Sequence, residues 1–88
     1  MDYVKLVRDI VEPLVAKPEA LLIREIPSEK GKGHIQILVV AEANDTARLI
    51  GRGGGVATSI REVVNVAGKL NDKRIYLKFE SYEEKETE

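Results

Sequence analysis

The chain has 88 residues, 43% of them hydrophobic, which suffices for one domain with one modest core. It contains no cysteine, excluding a disulfide framework or a thiolate metal site, and only four aromatic residues (Tyr3, Tyr76, Phe79, Tyr82), excluding a broad stacking platform. The net charge of −1 is unevenly spread: residues 1–29 carry four Lys/Arg against six Asp/Glu, residues 30–74 eight against four, and residues 75–88 two against five.

The start, Met1-Asp2-Tyr3, has no basic segment followed by a long apolar run, so no signal peptide is visible. The longest apolar run, Ile37 to Ala41, is too short to cross a bilayer. These features, with the missing cysteines, predict a cytoplasmic protein that does not engage a membrane.

Residues 2–16 place Tyr3, Val4, Val7, Ile10, Val11, Leu14 and Val15 on one helical face. Pro13 lacks an N–H and crowds the carbonyl of Asp9, so a kink is expected there, with Pro18 ending the helix. Residues 20–27 and 34–41 read as strands, joined by the polar connection Ser28 to Gly33 as an antiparallel hairpin. Ile35, Ile37 and Val39 are expected to face the helices. Asn44-Asp45 reads as an N-cap for a short helix through Ile50. A longer helix is expected from Gly55 to about Leu70, with Val56, Ile60, Val63, Val64, Ala67 and Leu70 along one side. Lys73 to Glu80 alternates as a strand, with Ile75, Leu77 and Phe79 inward. Residues 81–88 have nothing to bury and are expected to form a disordered acidic tail beyond a single domain, residues 1–80. The order α-β-β-α-α-β describes an α+β domain, a three-stranded sheet covered on one face by three helices.

Four of the seven glycines fall between positions 51 and 55, between two helices. Glycine is costly in a helix, so the cluster marks a forced loop that brings backbone N–H groups to a helix start suited to an anion. A dinucleotide fingerprint fails because Val56 stands where the third glycine belongs and a helix precedes the loop. A Walker loop fails because Val56-Ala57 replaces its Lys-Ser/Thr pair. What remains is G-x-x-G between two helices, Gly51-Arg52-Gly53-Gly54, a clamp for the backbone of about four single-stranded nucleotides.

G-x-x-G alone is a weak signal, but its surroundings are specific: Ile50 precedes Gly51, and Ala57 and Ile60 lie three and six positions after Gly54. With these residues the chain resembles the KH domain, in the prokaryotic type II order. From Val7 to Pro18, through Asn44 to Ile50, and on through Ala57, Ile60 and Arg61, it resembles the small bacterial single-domain KH proteins of the KhpA family. That resemblance covers the chain to about residue 80. It implies single-stranded RNA binding by the G-x-x-G loop, a cytoplasmic homodimer, and pairing with a larger KH protein of the KhpB, Jag or EloR type. It further implies an RNA chaperone affecting cell shape and wall synthesis. Gly53, where a polar residue such as Gln is more usual, and the acidic tail depart from the family's pattern.

The expected RNA-binding residues are Gly51, Arg52, Gly53 and Gly54, with Ile50, Ala57 and Ile60 as an apolar groove and Arg48 and Arg61 as flanking phosphate partners. Ile50, Ala57 and Ile60 read equally as core residues, and Arg48 and Arg61 as solvated helix charges. Lys30 and Lys32 read as a soluble turn, with a secondary nucleic-acid contact as the alternative. No carboxylate pair or activated nucleophile stands out, and His34 has no metal-ligating neighbour, so neither an enzyme nor a cofactor is expected. The competing reading is a KH fold kept mainly for protein association, through apolar residues such as Leu38, Val40 and Val66. Ribosome association or single-stranded DNA binding is also compatible, because nothing in the sequence reads a 2′-hydroxyl.

Overall fold

In a computed structural model, described for residues 2–82, a three-stranded sheet carries helices on one face. The elements are α1 (Tyr3–Val11), β1 (Leu22–Ile26), β2 (His34–Ala41), α2 (Ala43–Ile50), α3 (Gly55–Lys69) and β3 (Arg74–Ser81), with 3-10 turns at Glu12–Leu14, Pro18–Ala20 and Arg52–Gly54. The expected α+β architecture and element order are therefore present.

β2 is the central strand. β1 pairs with it antiparallel, from Leu22 opposite Val40 to Ile26 opposite Gln36. β3 pairs with it in parallel, from His34 opposite Arg74 to Ala41 opposite Ser81. Side chains alternate across a sheet, so Ile37, Val39, Ile75 and Leu77 fall on the helix-facing side. They meet Tyr3, Val7 and Val11 of α1, Leu49 of α2, and Ile60 and Val64 of α3 in one core cluster. Burying each such aliphatic side chain stabilises the fold by about 1.5–3 kcal/mol.

Three local expectations need correction. The first helix does not continue through Pro13: its α-helical part stops at Val11, one 3-10 turn follows, and Val15 is extended (φ −109°, ψ 153°). A tighter turn accommodates a residue without an N–H, and it rotates Leu14 out of the apolar stripe to 42% exposure. Asn44-Asp45 does not cap α2. Glu42 does, accepting from the Asn44 N–H at 3.1 Å, while Asp45 is buried inside the first turn. Finally, Ser81 and Tyr82 are not tail. Ser81 ends β3, and Tyr82 donates its N–H to Ala41 O at 3.1 Å and its hydroxyl to Ala20 O at 2.7 Å. The rest of the expected acidic tail, residues 83–88, lies outside the described residues.

Candidate nucleic-acid interface

The glycine loop rests on a helix pinned at its beginning. Asp45, 1% exposed, accepts from the N–H groups of Ala16 and Lys17 at 2.9 and 3.0 Å and from Arg48 Nη1 at 2.7 Å. The Thr46 hydroxyl lies 3.1–3.2 Å from the carbonyls of Ala41, Glu42 and Glu80. These contacts tie α2 to the segment after α1 and to the ends of β2 and β3. The far end of α2, where the loop begins, is thereby held in a defined place.

Gly51 ends α2 with φ 76° and ψ 171°. A Cβ there would come within 2.9 Å of Val56 N, so glycine is required by the loop's own packing as well as by its backbone angle. Gly53 and Gly54 follow with φ of 63° and 78°, two consecutive left-handed residues with open space around them. The N–H of Gly51 bonds to Ala47 O, that of Gly54 to Gly51 O, and that of Gly55 to Arg52 O. Open glycine backbone, an exposed Arg52 side chain and the start of α3 thus meet at one point.

A cleft of about 520 Å³ lies between α3, from Thr58 onward, and the edge strand β3. It is lined by Thr58, Arg61, Glu62, Asn65, Lys69, Lys73, Arg74, Ile75, Tyr76 and Leu77. Four of these are cations and one is an acid, which favours a polyanion. Asn65 shapes one wall: its amide donates to Ile75 O and accepts from Ile75 N–H, each at 2.9 Å. Arg61 reaches Leu77 O at 3.4 Å and lies 5.5 Å from the centre of the Phe79 ring.

The structure redistributes the expected site residues. Gly51, Arg52, Gly53 and Gly54 form the loop as read. Ile50, 37% exposed, stands beside it together with Val56, 38% exposed. Ala57 and Ile60 are 2% and 4% exposed and form part of the buried interior, so the open apolar groove expected from them is absent. Val39 is in the core and Val40 lies on the opposite sheet face. Arg48 is held by Asp45 and Arg61 by β3, so neither is the unattached side chain that the sequence suggested. Thr58, Asn65 and Tyr76 were missed. Asn65 had a legible signal: a poor helix former inside an apolar run, four residues after Arg61 and hence on the same helix face.

A KH-domain family model described as KhpA/KhpB matches residues 4–79. The chain belongs to the KhpA/KhpB family of KH domains. It is 38% identical over 73 residues to the RNA-binding proteins KhpA of Listeria monocytogenes serovar 1/2a and Listeria innocua serovar 6a, spanning 83% of this chain and 92% of each relative. Among solved structures it resembles Era, crystallised with MgGDPNP and nucleotides 1506–1542 of 16S ribosomal RNA, with a TM-score of 0.62 and 16% identity. A variant of Aquifex aeolicus Era bound to GDP·AlF4− superposes with a TM-score of 0.61 and 14% identity. Each comparison covers 90% of this chain but only 29% of the Era chain, so the likeness concerns the KH-like part and the fold alone. In this KhpA-type fold no described helix is long and apolar enough to cross a membrane.

Proposed function

We propose that this protein binds single-stranded RNA without catalysing a reaction. The glycine loop grips the sugar-phosphate backbone, and the α3–β3 cleft receives the nucleotides that follow. The observation that carries this reading is an open loop of left-handed glycines with an exposed Arg52 at the start of α3, the helix that walls a cation-lined cleft. The names of the Listeria relatives support RNA as the ligand. Because phosphate contacts dominate, binding is weak in sequence preference and falls steeply with salt.

The test is an Arg52→Asp/Gly53→Asp variant titrated with a labelled, mixed-sequence single-stranded RNA pool. Position 53 has room for a side chain, and Asp tolerates left-handed angles, so the fold survives while two negative charges enter the anion site. Loss of binding is expected. Affinity equal to the parent's rejects the clamp.

The protein acts in the cytoplasm as a homodimer, and with a larger KH partner of the KhpB type, as an RNA chaperone affecting cell shape and wall synthesis. An exposed apolar stripe on α3 supports self-association: Val63, Val66 and Leu70 are 55%, 63% and 79% exposed. The same stripe favours a second reading, in which the fold serves mainly protein association. Tight self-association without salt-sensitive RNA binding selects that alternative.

A further inference from the structure

Tyr76 joins two hollows of the surface. It lines the α3–β3 cleft, and it also lines a hollow of about 460 Å³ at the tip of the β1–β2 hairpin, with Pro27, Ser28, Glu29, Lys30 and Gln36. Its ring is stacked near-parallel to that of His34, with centroids 5.8 Å apart and planes at 17°, and its hydroxyl lies 3.3 Å from His34 Nδ1. Lys30 Nζ is 5.5 Å from the ring centre and Arg74 Cζ 5.9 Å. Neither cation forms an ion pair among the described residues.

The other aromatic residues are committed elsewhere. Tyr3 is buried in the core, Phe79 packs against the core beneath Arg61, and the hydroxyl of Tyr82 bonds Ala20 O. The half-exposed pair Tyr76 and His34, flanked by two free cations, is the arrangement that stacks a base while neutralising its phosphates. We propose that this patch is a second contact for single-stranded RNA, receiving nucleotides that leave the far end of the cleft. The proposal rests on the clamp reading above.

Length separates the two sites. From Thr58 to Lys69 the helix wall of the cleft rises roughly 16 Å, and the clamp holds about four nucleotides. A strand of that size fills loop and cleft, and only a longer one reaches the hairpin tip.

The experiment compares fluorescein-labelled random RNA pools of about five and about twelve nucleotides. The parent is set against Lys30→Ala/His34→Ala, neither position lining the cleft. The parent should bind the longer pool more tightly. The variant should lose about tenfold on the longer pool, keep its affinity for the shorter one, and show a salt slope reduced by about one. Lys30→Ala/His34→Phe should recover part of the loss, because Phe restores a ring. Binding of the longer pool within about twofold of the parent overturns the proposal, as does a parent that does not distinguish the two lengths. If Arg52→Asp/Gly53→Asp abolishes binding of both pools while the patch variant loses neither, the clamp stands and the patch falls. If the parent binds neither pool, the clamp reading itself fails.

Discussion

The side-chain amide of Asn65 pairs with the backbone of Ile75 as a neighbouring strand would, giving one hydrogen bond and taking another, both at 2.9 Å. It thereby covers part of the outer edge of β3, where unpaired backbone groups would otherwise invite another chain. Asn65→Ala leaves both groups without a protein partner, a loss of about 1–3 kcal/mol. In urea denaturation the midpoint should fall with an unchanged m-value, and hydrogen exchange at the Ile75 amide should accelerate. An unchanged midpoint denies the pairing any energetic role.

Two glycines four residues apart should respond in opposite ways to alanine. Gly51→Ala drives a Cβ against Val56 and forces a left-handed angle on a residue that resists it, so destabilisation of more than about 1 kcal/mol is expected. Gly55 has ordinary helical angles (φ −65°, ψ −38°) and nothing near its missing Cβ. Gly55→Ala should stabilise by about 0.4–1 kcal/mol through the unfolded chain. Thermal melts of the two variants check the opposite signs.

Asp45 makes stability depend on pH. The Ala16 N–H, chiefly, then the Lys17 N–H and the Arg48 guanidinium hold its carboxyl below the ordinary Asp value, against the opposing effect of burial. A folded-state pKa below the unfolded one means that the stabilisation is fully present above the unfolded value and is lost as pH falls through the folded one. Asp45→Asn should melt earlier than the parent at neutral pH, and the gap between them should close from about pH 4 downward. A gap that is constant with pH contradicts the assignment.

Self-association through α3 is checked by Val66→Lys/Leu70→Lys. Both positions are largely exposed, and lysine is compatible with a helix C-terminus, so monomer stability should change by less than about 0.5 kcal/mol. Sedimentation should show less self-association than in the parent. A variant that associates as the parent does excludes this stripe as the interface.

Strand β2 was legible to the residue, and α3 to within one, because their apolar patterns have the periods their geometry imposes. The glycine loop was legible too, since few local structures require four glycines in five positions. Asp45 and Asn65 were not. Asp45 acts on residues 28 and 29 positions away and Asn65 on one ten positions away, so their partners appear only once the chain has folded back. Read locally, Asp45 beside Asn44 has the composition of a helix cap, and the acceptor it offered was already committed to another segment. The groove expected from Ala57 and Ile60 failed for a related reason. Helical spacing places residues on one face, but whether that face meets solvent or core depends on what packs above it.

Because β3 lies parallel to β2, each residue of the pair waits for a partner forty positions later, as His34 does for Arg74. The β1–β2 hairpin closes locally, whereas the parallel pairing must bring both intervening helices with it and is the slower step. During synthesis, then, the hairpin and α2 leave the ribosome before the strand that completes the sheet. The cleft lacks one wall until β3 arrives, so under the proposed function it can take up RNA only once that strand has formed. A chain ended at residue 72 should show no protected amides across residues 51–60 in hydrogen exchange, and protection there in such a chain would mean that the glycine loop is organised before the sheet is complete.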